Sequence, residues 1–379
     1  MKVLNVSHLI DSITGGGTAE RTFQMSRFLS EAGVCCSILT TSVGLTPEQR
    51  MALAGIEVLA YPCLSKRFYI PKFSYREVKR LVENADIIHL MGHWTFLNAL
   101  VYLVAGRAGK PYVVCPAGAL PIYGRSGILK KIYNLLVGKR MIAGAAGHIA
   151  ITKGEMPQFQ DYGVASSRIT VIPNGINSAD FQERDDTGFR KKYSLGGEPF
   201  ILFMGRLNHI KGPDLLLNAF CNLKDRLPAY HLVFAGPDGG MLAGLKKLVA
   251  ESGLGERVHF TGYLGGKDKS CAYHAATLLA IPSRQEAMSI VVLEAGITGT
   301  PVLLTDRCGF DEIAAMGGGE VTPASVEGLQ KGLIDVLCDP VRLKVMGDNI
   351  KEYIRENFLW DSVVNRYLQL YRQILEMKK

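Results

Sequence analysis

Residues 283–306 have the sequence SRQEAMSIVVLEAGITGTPVLLTD, which predicts the helix and strand of an α/β unit. Two glutamates, Glu286 and Glu294, interrupt this otherwise apolar, small-residue segment. Eight helical residues advance about 12 Å and turn by about 80°, so the two carboxylates would share a broad face without meeting the same atom. That separation excludes the pair about 5 Å apart that retaining glycosidases use. Two interpretations stay open: an extended ligand contacts both carboxylates, or Glu286 stabilises the helix start and Glu294 is merely exposed.

The chain alternates strands and helices on both sides of this stretch. Short β-rich segments such as KVLNVSHL, DIIHLMG and PYVVCPAG recur in the first half, and the rhythm resumes at FILFMGR after a polar stretch. The alternation predicts parallel sheets wound with helices, in two successive α/β domains with a boundary within residues 176–197. The chain from Ser325 onward predicts helices only. Ligands of such sheets bind beyond the carboxyl ends of the strands, and with two domains the cleft between them is the expected site.

The composition is that of a globular chain. Its 379 residues predict two or three domains, and a hydrophobic content of 47% suffices for their cores. No apolar run approaches the roughly 18 residues needed to span a bilayer, and MKVLNVSHLI leads into a strand without a cleavage site, so we expect a cytoplasmic protein. The 8 cysteines lack metal-ligand spacing, which favours reduced structural thiols and no metal site.

The formal net charge of +8 indicates anionic partners. Nucleic acid, a membrane surface and phosphorylated small molecules all satisfy that charge. Since the sequence contains none of the aromatic RNA-binding, zinc-finger or leucine-zipper patterns, we expect no nucleic-acid partner.

Three consecutive glycines, Gly15, Gly16 and Gly17, lie between the first predicted strand and the helix-like sequence TAERTFQMSRFLSEAG. Glycines let backbone approach a ligand closely, and the helix start presents free N–H groups to an anion, with Thr18 adding a hydroxyl. The spacing differs from the dinucleotide-binding G-x-G-x-x-G, which weakens a nicotinamide interpretation. A plain tight turn without a ligand is the alternative.

Two cations, Arg206 and Lys211, lie just past a predicted strand and at a helix start in FMGRLNHIKGPDLLLNAF. Cations oppose the positive pole of a helix dipole, so structure alone explains the pair poorly. A bound diphosphate resolves the conflict, because Arg binds phosphate oxygens in bidentate fashion and Lys supplies a mobile charge. Two solvated surface cations are the alternative.

A second predicted helix start, at residues 287–290, follows the strand TLLAIPS and faces the same cations. Its backbone N–H groups can bind the other side of a diphosphate. Glu294, deeper along the helix, can accept hydrogen bonds from ribose hydroxyls, and Glu286 can face the group attached beyond the phosphates. The amides concerned are those of Met288, Ser289 and Ile290.

GRLNHIKG, together with the E-x7-E spacing of QEAMSIVVLEAGITGTPVL, resembles the donor-site motifs of retaining glycosyltransferase family 4. The GGG turn, VIPNGI, FAGPDGG, RVHFTGYL and a final helix near Trp360 add to the resemblance, which covers essentially the whole chain. It implies an α/β protein of the GT-B fold, with two Rossmann-like doubly wound domains facing across a deep cleft and a C-terminal helix that packs back on the first. The expected bounds are 1–178 for the acceptor-side domain, 179–356 for the donor domain and 357–379 for the helix.

The resemblance also implies an enzyme of class EC 2.4 that retains anomeric configuration and needs neither a cofactor nor an essential metal. Arg206 and Lys211 would contact the diphosphate of a nucleotide diphosphate sugar, Glu294 the ribose and Glu286 the transferred sugar. The catalytic candidates are therefore Glu286, Arg206 and Lys211. The GGG backbone would approach the donor from the first domain when the cleft closes. The base, sugar, acceptor and linkage stay open.

Two departures from the family pattern concern the acceptor and the donor. Ala117 stands where many relatives carry a histidine or arginine, so His93 and backbone at Gly118 become the acceptor-side candidates. A satisfied structural histidine is an equal interpretation of His93, and of His89 within a strand. The sequence AMS after Glu286 replaces a Gly-Phe-Gly type continuation, from which we expect an altered sugar or donor preference.

Residues 124–142, GRSGILKKIYNLLVGKRMI, alternate Lys and Arg with apolar residues. In relatives this region often handles acceptors or touches membranes. A helix with a core stripe and a solvated face is the favoured interpretation. Peripheral contact with an anionic leaflet at the inner membrane face, or with a lipid-phosphate acceptor, is the alternative.

The expected partners are a nucleotide-sugar donor and a glycan or lipid-linked acceptor. Three other functions stay open. A nucleotide-sugar epimerase of the same fold would release an epimer without an acceptor, and a nicotinamide oxidoreductase would leave Arg206, Lys211 and Glu294 without roles. A non-catalytic sensor of nucleotide sugars is the third, in view of Ala117.

Overall fold

The computed structural model describes residues 1–65, 67–122, 126–310 and 312–378. Met1–Gly175 with Trp360–Lys379 forms one compact unit, called unit 1, and Ile176–Leu359 forms the other, called unit 2. The sequence-based bounds of 178 and 356 differ from these divisions by three residues. A hydrogen bond accounts for the difference: the backbone N–H of Ile176 donates to the carbonyl of Phe358 over 2.8 Å. Because this bond joins the two ends of unit 2, both segments belong to that unit.

Unit 1 is built on a parallel sheet. Its strands are β1 (Lys2–Val6), β2 (Cys35–Thr41), β3 (Glu57–Tyr61), β6 (Ile87–Met91), β7 (Tyr112–Cys115), β8 (Gly147–Ala150) and β9 (Ile169–Val171), and a separate antiparallel ribbon pairs β4 (Cys63–Ser65) with β5 (Ile70–Pro71). The order across the sheet is β3-β2-β1-β6-β7-β8-β9. Every residue of β6, β7 and β8 is buried, as expected of central parallel strands covered on both faces.

Helices connect these strands. They are α1 (Ser12–Glu31), α2 (Pro47–Ala52), α3 (Tyr75–Asn84), α4 (Phe96–Arg107), α5 (Gly127–Tyr133), α6 (Lys139–Ala143) and α7 (Met156–Gln160), with a π-helical turn (Asn134–Gly138) between α5 and α6. The last helix of the chain, α16 (Trp360–Glu376), also belongs to this unit. It packs on α1, where the Trp360 ring stacks on Phe28 with centroids 5.9 Å apart. The prediction that the C-terminal helix returns to the first domain is therefore confirmed.

Unit 2 repeats the architecture. Its strands are β10 (Phe200–Met204), β11 (His231–Ala235), β12 (Val258–Gly262), β13 (Leu278–Ile281), β14 (Val302–Thr305) and β15 (Gly319–Thr322), all parallel, in the order β12-β11-β10-β13-β14-β15. Its helices are α8 (Asp186–Lys192), α9 (Pro213–Asn222), α10 (Leu242–Glu251), α11 (Gly266–Ala275), α12 (Ile290–Thr298), α13 (Glu312–Ala315), α14 (Val326–Leu337) and α15 (Pro340–Asn357).

Each unit buries its own hydrophobic core, so the prediction of two α/β domains is confirmed. All eight cysteines lie within the described residues and are free thiols. In the described ranges, no helix combines the length and the apolar composition needed to cross a membrane.

Candidate functional site

The strand order of unit 2 brings two connecting loops side by side. β10 and β13 are neighbours in the sheet, and the chain moves outward from them in opposite directions, to β11 and β12 on one side and to β14 and β15 on the other. Open α/β sheets bind ligands at such a reversal, beyond the carboxyl ends of the strands. The candidate site of unit 2 is therefore formed by residues 205–212 after β10 and residues 282–289 after β13.

These two loops are tightly joined. Gly212 has a φ of +66°, and a Cβ at this position would lie 2.1 Å from the carbonyl oxygen of Pro282, so only glycine fits. The Arg284 guanidinium makes two hydrogen bonds, of 2.8 and 2.6 Å, to the Asp214 carboxylate at the start of α9. The backbone N–H of Arg284 also donates to the Ile210 carbonyl over 2.8 Å. Arg284 and Asp214 thus fix one loop against the other, a role that sequence reasoning missed.

Glu286 does not lie on a helix, contrary to the helical spacing assumed from the sequence. α12 begins at Ile290, and residues before it are held as a loop, where the backbone N–H of Glu286 donates to the Arg307 carbonyl over 2.7 Å. Gly309 packs so closely that a Cβ there would lie 2.1 Å from the Ala287 carbonyl oxygen. Tertiary contacts therefore override the local helical pattern, and the estimated separation along a helix does not apply.

The Glu286 carboxylate is nevertheless placed beside a predicted partner. The Nζ of Lys211 lies 2.8 Å from it, in an ion pair whose glutamate side chain is only 9% exposed. The Ser283 hydroxyl donates to the other carboxylate oxygen. Lys211 itself is partly exposed, and its backbone N–H donates to Asn208. The structure thus joins one cation and one carboxylate of the predicted donor site.

Arg206 lies at the other end of the same loop, directly after β10. Its side chain is exposed and packs against Gly239, where a Cβ would come within 2.9 Å of the arginine Cγ. The backbone N–H of Leu207 donates to the Pro237 carbonyl over 3.0 Å, which fixes this part of the loop to the one after β11. Arg206 is therefore held at the carboxyl edge of the sheet, where the sequence predicted it.

Glu294 is on α12 and is buried, so the interpretation that it is merely exposed is wrong. The Tyr273 hydroxyl donates to one carboxylate oxygen over 2.6 Å, and the Lys269 ammonium pairs with the other. Burial, together with the adjacent Glu294 carboxylate, raises the pKa of Tyr273 well above its usual value, so the phenol keeps its proton and donates it. Lys269 and Tyr273 were missed, although their spacing of four residues on α11 places them on one helix face.

Two helix starts at this site lack side-chain caps. In the described residues, α9 begins after Gly212 and α12 after Ser289 without a side chain accepting from the first backbone N–H groups. The Ser289 hydroxyl is buried, and it has no hydrogen-bond partner among the residues described. Uncapped N–H groups and a partially positive helix end attract anions. The backbone groups that the sequence predicted at Met288, Ser289 and Ile290 belong to one of these starts.

The three glycines of unit 1 lie inside a helix rather than before it. α1 begins at Ser12, because the Asp11 carboxylate caps it by accepting from the N–H groups of Ile13 and Thr14. Only Gly16 leaves helical geometry, with φ 61° and ψ −150°, so the helix breaks at that residue. The predicted tight turn is therefore a break within α1, flanked by Gly15 and Gly17.

His93 follows β6 and is 1% exposed. Its Nε2 lies 2.9 Å from the Asn134 amide oxygen, an acceptor, so Nε2 carries the proton and Nδ1 is an acceptor without a partner in the described part of the chain. Burial lowers the pKa of His93 to about 4, which the hydrogen bond to Asn134 opposes only in part. His89 is structural, since its Nδ1 lies 2.6 Å from the Tyr371 hydroxyl of α16.

The turn after β7 is strained and clamped. Ala117 has a φ of 50° and Gly118 a φ of 81°, the left-handed region that alanine rarely adopts. A buried carboxylate, Glu155, accepts from the N–H of Gly118 and, over 2.6 Å, from that of Ile151. Burial raises the pKa of Glu155, and the two backbone hydrogen bonds oppose that rise. Gly118 is thus positioned by Glu155, which carries no recognisable sequence signal.

A cavity of about 490 Å³ opens at the carboxyl ends of β1, β6 and β7, entirely within unit 1. His93 contributes to its wall, whereas most of the remaining surface is aromatic or aliphatic. The other lining residues include His8, Thr18, Arg67, Phe68, Tyr69, Trp94, Phe96, Pro116, Tyr133, Leu136 and Val137.

Two family models match the chain. "Glycosyl transferases group 1" matches residues 185–353, and "Glycosyl transferase 4-like domain" matches residues 16–175. The chain belongs to the GT4-type glycosyltransferases. The two matches fall in unit 2 and unit 1 respectively, so each half of this GT4-type chain is accounted for by its own domain.

The chain is also similar to curated proteins that are named as glycosyltransferases. The GT4-type chain is 32% identical over 251 residues to D-inositol 3-phosphate glycosyltransferase 1 of Catenulispora acidiphila, with 62% of the chain and 59% of the relative covered. It is 36% identical over 247 residues to D-inositol 3-phosphate glycosyltransferase of Nocardia farcinica, with 62% and 54% covered. The aligned chain therefore spans between 54% and 59% of the length of these relatives.

Solved structures show the fold. HepE from Anabaena, in complex with UDP and glucose, matches with a TM-score of 0.79 at 16% identity, covering 98% of this chain and 100% of that one. Sucrose-phosphate synthase from Thermosynechococcus elongatus matches with a TM-score of 0.77 at 21% identity, covering 100% of each chain. The predicted GT-B fold, with two Rossmann-like α/β domains, is confirmed.

Proposed function

We propose that the protein is a retaining glycosyltransferase that moves a sugar from a nucleotide diphosphate sugar to a hydroxyl of a glycan or lipid-linked acceptor. The observation that carries the proposal is the Lys211–Glu286 ion pair, which lies beside two helix starts without side-chain caps at the strand reversal of unit 2. An anion site next to a carboxylate suits a donor whose diphosphate is attached to a sugar. The UDP and glucose bound by HepE support that choice of donor.

In the proposed reaction, the chain's own charges stabilise the leaving diphosphate. Arg206 and Lys211 would bind its oxygens, and the N–H groups of Met288, Ser289 and Ile290 would complete the site. Preorganised cations and dipoles stabilise developing negative charge where it appears, so the proposal includes no metal and no cofactor. Lys211 would bridge the phosphate and Glu286, which keeps that carboxylate beside the transferred sugar.

Glu294 would bind the ribose. Its carboxylate is held by Tyr273 and Lys269 before any ligand arrives, so little ordering is needed when two ribose hydroxyls donate to it. Lys269 and Tyr273 act as positioning residues in this scheme. Since the donor base is read largely by backbone groups, the proposal leaves it to experiment.

Unit 1 would supply the acceptor side. His93, in the wall of the cavity, would contact the acceptor there, and the backbone carbonyl of Gly118 would offer a second polar contact, since its N–H is already bound by Glu155. Gly15, Gly16 and Gly17 remain predicted donor contacts. We place the enzyme in the cytoplasm, in polysaccharide or lipid-linked saccharide synthesis, with peripheral contact at the inner membrane face.

Thermal denaturation with UDP, GDP, ADP, CDP and NAD tests the donor site. A nucleoside diphosphate at 100 times its dissociation constant should add about 2.7 kcal/mol of stability. We expect one diphosphate to stabilise the wild type and Lys247→Ala, an exposed lysine of α10, but not Arg206→Ala or Lys211→Ala. Stabilisation by NAD alone would contradict the proposal.

Product analysis tests the reaction. With the matching nucleotide sugar and a panel of alkyl glycosides and inositol phosphates, we expect a new glycosidic bond whose anomeric proton shows the donor's configuration. Inversion would refute the retaining mechanism, and a new sugar epimer formed without acceptor would identify an epimerase.

A further inference from the structure

The exposed aromatic side chains of unit 1 lie together, around the ribbon that pairs β4 with β5. Within the described residues of this unit, four Phe and Tyr side chains are exposed, by between 36% and 49%. They are Phe68, Phe73 and Tyr75, which belong to the ribbon or directly follow it, and Phe96 at the start of α4. The ring centroids of Phe73 and Phe96 lie 5.7 Å apart. Exposed rings that are gathered in one place, and not scattered singly, indicate a binding surface.

Cations alternate with these rings along the chain. Residues 67–76 have the sequence RFYIPKFSYR, and residues 58–76 contain four basic residues and no Asp or Glu. One of the four, Lys66, lies outside the described residues. The other three are exposed, and they are Arg67, Lys72 and Arg76. The ribbon therefore carries a local excess of positive charge, which attracts an anionic ligand.

Hydrogen bonds order the backbone that carries these side chains. The N–H of Lys72 donates to the Pro62 carbonyl over 2.8 Å, and the Tyr61 hydroxyl lies 3.3 Å from the Ser74 carbonyl oxygen. The same hydroxyl lies 3.1 Å from the carboxylate of Glu77, the next acid along the chain, which is thereby engaged by Tyr61. Since the backbone is already ordered, a ligand loses less affinity to ordering the segment when it binds.

The row of rings leads into the cavity beside His93. Phe68 and Phe96 are exposed and also line the cavity, so both belong to its rim. Arg67 lines it as well, and its guanidinium carbon lies 5.2 Å from the Phe68 ring centroid. Phe73 continues the row outward from Phe96. A chain molecule can therefore place one end in the cavity and its further units along the rings outside.

We propose that this row binds an anionic glycan chain whose end enters the cavity as the acceptor. Flat aromatic rings stack on the C–H faces of pyranose rings, and the neighbouring cations bind carboxylate or sulfate groups carried by the same chain. This inference rests on the proposed function, since it names the acceptor class of the same enzyme. The row is called the ribbon surface and consists of Arg67, Phe68, Lys72, Phe73, Tyr75, Arg76 and Phe96.

Residues 124–142 expose side chains of a different kind. This segment was predicted as a helix with a core stripe, and Met141 and Ile142 are buried as expected. The prediction is wrong for most of the segment, because three aliphatic residues of the stripe are exposed: Ile128, Ile132 and Leu135. Residues 124 and 125 lie outside the described residues. Aliphatic side chains lack the flat face on which a sugar ring stacks, so the ribbon surface is the part of unit 1 that suits a glycan chain.

Calorimetric titration tests the ligand class with four probes: a galacturonic acid hexasaccharide, a heparin hexasaccharide, maltohexaose and oligothymidylate. We expect the wild type to bind an acidic hexasaccharide, more weakly as salt screens the charges, and to bind neutral maltohexaose at least about tenfold more weakly. The tighter of the two acids identifies the anionic group. Equal binding of maltohexaose, tighter binding of oligothymidylate, or no binding of either acid would overturn the proposal.

Ring variants test stacking. Phe68→Leu/Phe73→Leu should lower the affinity for the tighter acidic hexasaccharide by about tenfold, because leucine is apolar but has no flat face. Phe68→Tyr/Phe73→Tyr is the matched control, which keeps both rings and should bind like the wild type. Equal affinities of the leucine and tyrosine variants would show that the rings do not stack on the sugar and would overturn the proposal.

A charge variant keeps the test valid if the leucine variant folds poorly. Lys72→Glu/Arg76→Glu should bind the acidic hexasaccharide at least about tenfold more weakly. Lys246→Glu/Lys247→Glu makes the same charge change on exposed residues of α10 and should bind normally. Equal weakening by both double variants would reduce the effect to net charge and refute a specific surface. Binding to phosphatidylglycerol vesicles but to neither acidic hexasaccharide would assign the surface to a bilayer instead.

Transfer kinetics test whether the bound chain is the acceptor. With the acidic glycan as acceptor, Lys72→Glu/Arg76→Glu should raise the acceptor KM and leave kcat near the wild-type value, because neither residue lines the cavity. An unchanged KM would refute the acceptor role.

Nucleoside diphosphate binding separates this inference from the proposed function. All variants of the ribbon surface should keep the wild-type thermal stabilisation, because they lie in unit 1 and the diphosphate residues in unit 2. Binding of an acidic hexasaccharide without diphosphate stabilisation would remove the donor assignment and leave the ribbon surface standing. Diphosphate stabilisation without hexasaccharide binding would do the reverse.

Discussion

The strand ends of unit 2 carry paired charges, whereas those of unit 1 carry aromatic side chains and a neutral histidine. In unit 2, three ion pairs join the loops and helices beyond the sheet. In unit 1, the corresponding edge opens into the cavity beside His93, whose pKa burial lowers to about 4. Two sheets of the same kind thus present one edge lined by paired charges and one lined mainly by aromatic and aliphatic side chains.

Four helices that follow strands also differ between the units in how their first backbone N–H groups are satisfied. In unit 1, Asp11 caps α1 and Thr95 caps α4 by accepting from backbone N–H groups. In unit 2, α9 and α12 have no such side-chain caps within the described residues. A capped start is already satisfied, whereas an uncapped start retains donors for a ligand. At these four starts, the backbone donors without side-chain caps therefore lie beside the charged loops of unit 2.

The largest effect is expected of Lys211→Ala, which removes one of the paired charges that distinguish unit 2. The variant removes a cation from the diphosphate and leaves the Glu286 carboxylate, which is 9% exposed, without its partner. We expect kcat/KM for transfer to fall by about 3 kcal/mol of transition-state stabilisation or more, and Lys247→Ala to retain wild-type activity. Near wild-type transfer by Lys211→Ala at saturating donor would show that the diphosphate assignment is wrong.

Acidification should weaken unit 1 through its buried histidines. His93 has a pKa lowered from 6.5 to about 4, so the unfolded state binds more protons and stability is lost as pH falls from 6.5 to 4, by about 3 kcal/mol. His89, lowered to about 3 mainly by burial and next by Arg21, acts in the same direction.

Urea denaturation at several pH values measures this effect. Both tryptophans lie in unit 1, so their fluorescence follows the unfolding of that unit. His93→Gln should give a shallower pH dependence than the wild type, and His209→Gln, an exposed histidine of unit 2, should not. Identical slopes for all three proteins would contradict a neutral, buried His93.

Arg284→Lys should weaken the contact between the loop after β13 and the start of α9 in unit 2. A lysine cannot reproduce the two hydrogen bonds to Asp214, and the pair is partly exposed, so we expect a loss of about 1 kcal/mol in diphosphate binding. Arg342→Lys is the matched control, because Arg342 pairs with Glu320 elsewhere in the unit. Calorimetric titration with the matching nucleoside diphosphate measures both variants, and equal affinities would refute the positioning role.

The smallest effects are expected of Ser289→Ala and Thr95→Ala, the first on diphosphate binding and the second on stability. Thr95→Ala removes a cap and should lower stability by about 1 kcal/mol without changing diphosphate binding. Ser289→Ala removes a hydroxyl that caps no backbone group and should leave the stability of the free protein almost unchanged. We expect its diphosphate affinity to fall by about 1 kcal/mol, and an unchanged affinity would exclude the hydroxyl from the site.

The positions of Arg206 and Lys211 in the candidate site were predictable because both residues lie near a strand end. Arg206 and Lys211 follow β10 in sequence and in space, since a strand and the loop after it remain neighbours in any packing of the sheet. Glu286 lies beside Lys211 but not on a helix as predicted, because contacts to residues 307–309 hold it in a loop. Local periodicity cannot report a contact across more than twenty residues.

The alternation of strands and helices established the α/β class, the two domains and the last helix, because hydrophobic period and turn chemistry are local properties of the chain. Tertiary structure alone joined Lys211 to Glu286, Lys269 and Tyr273 to Glu294, and Glu155 to Gly118. It also left Ile128, Ile132 and Leu135 exposed, although the pattern of residues 124–142 favoured a helix with a core stripe. Which apolar face is covered and which charges meet depends on packing between distant segments, and that information is not contained in any one stretch of sequence.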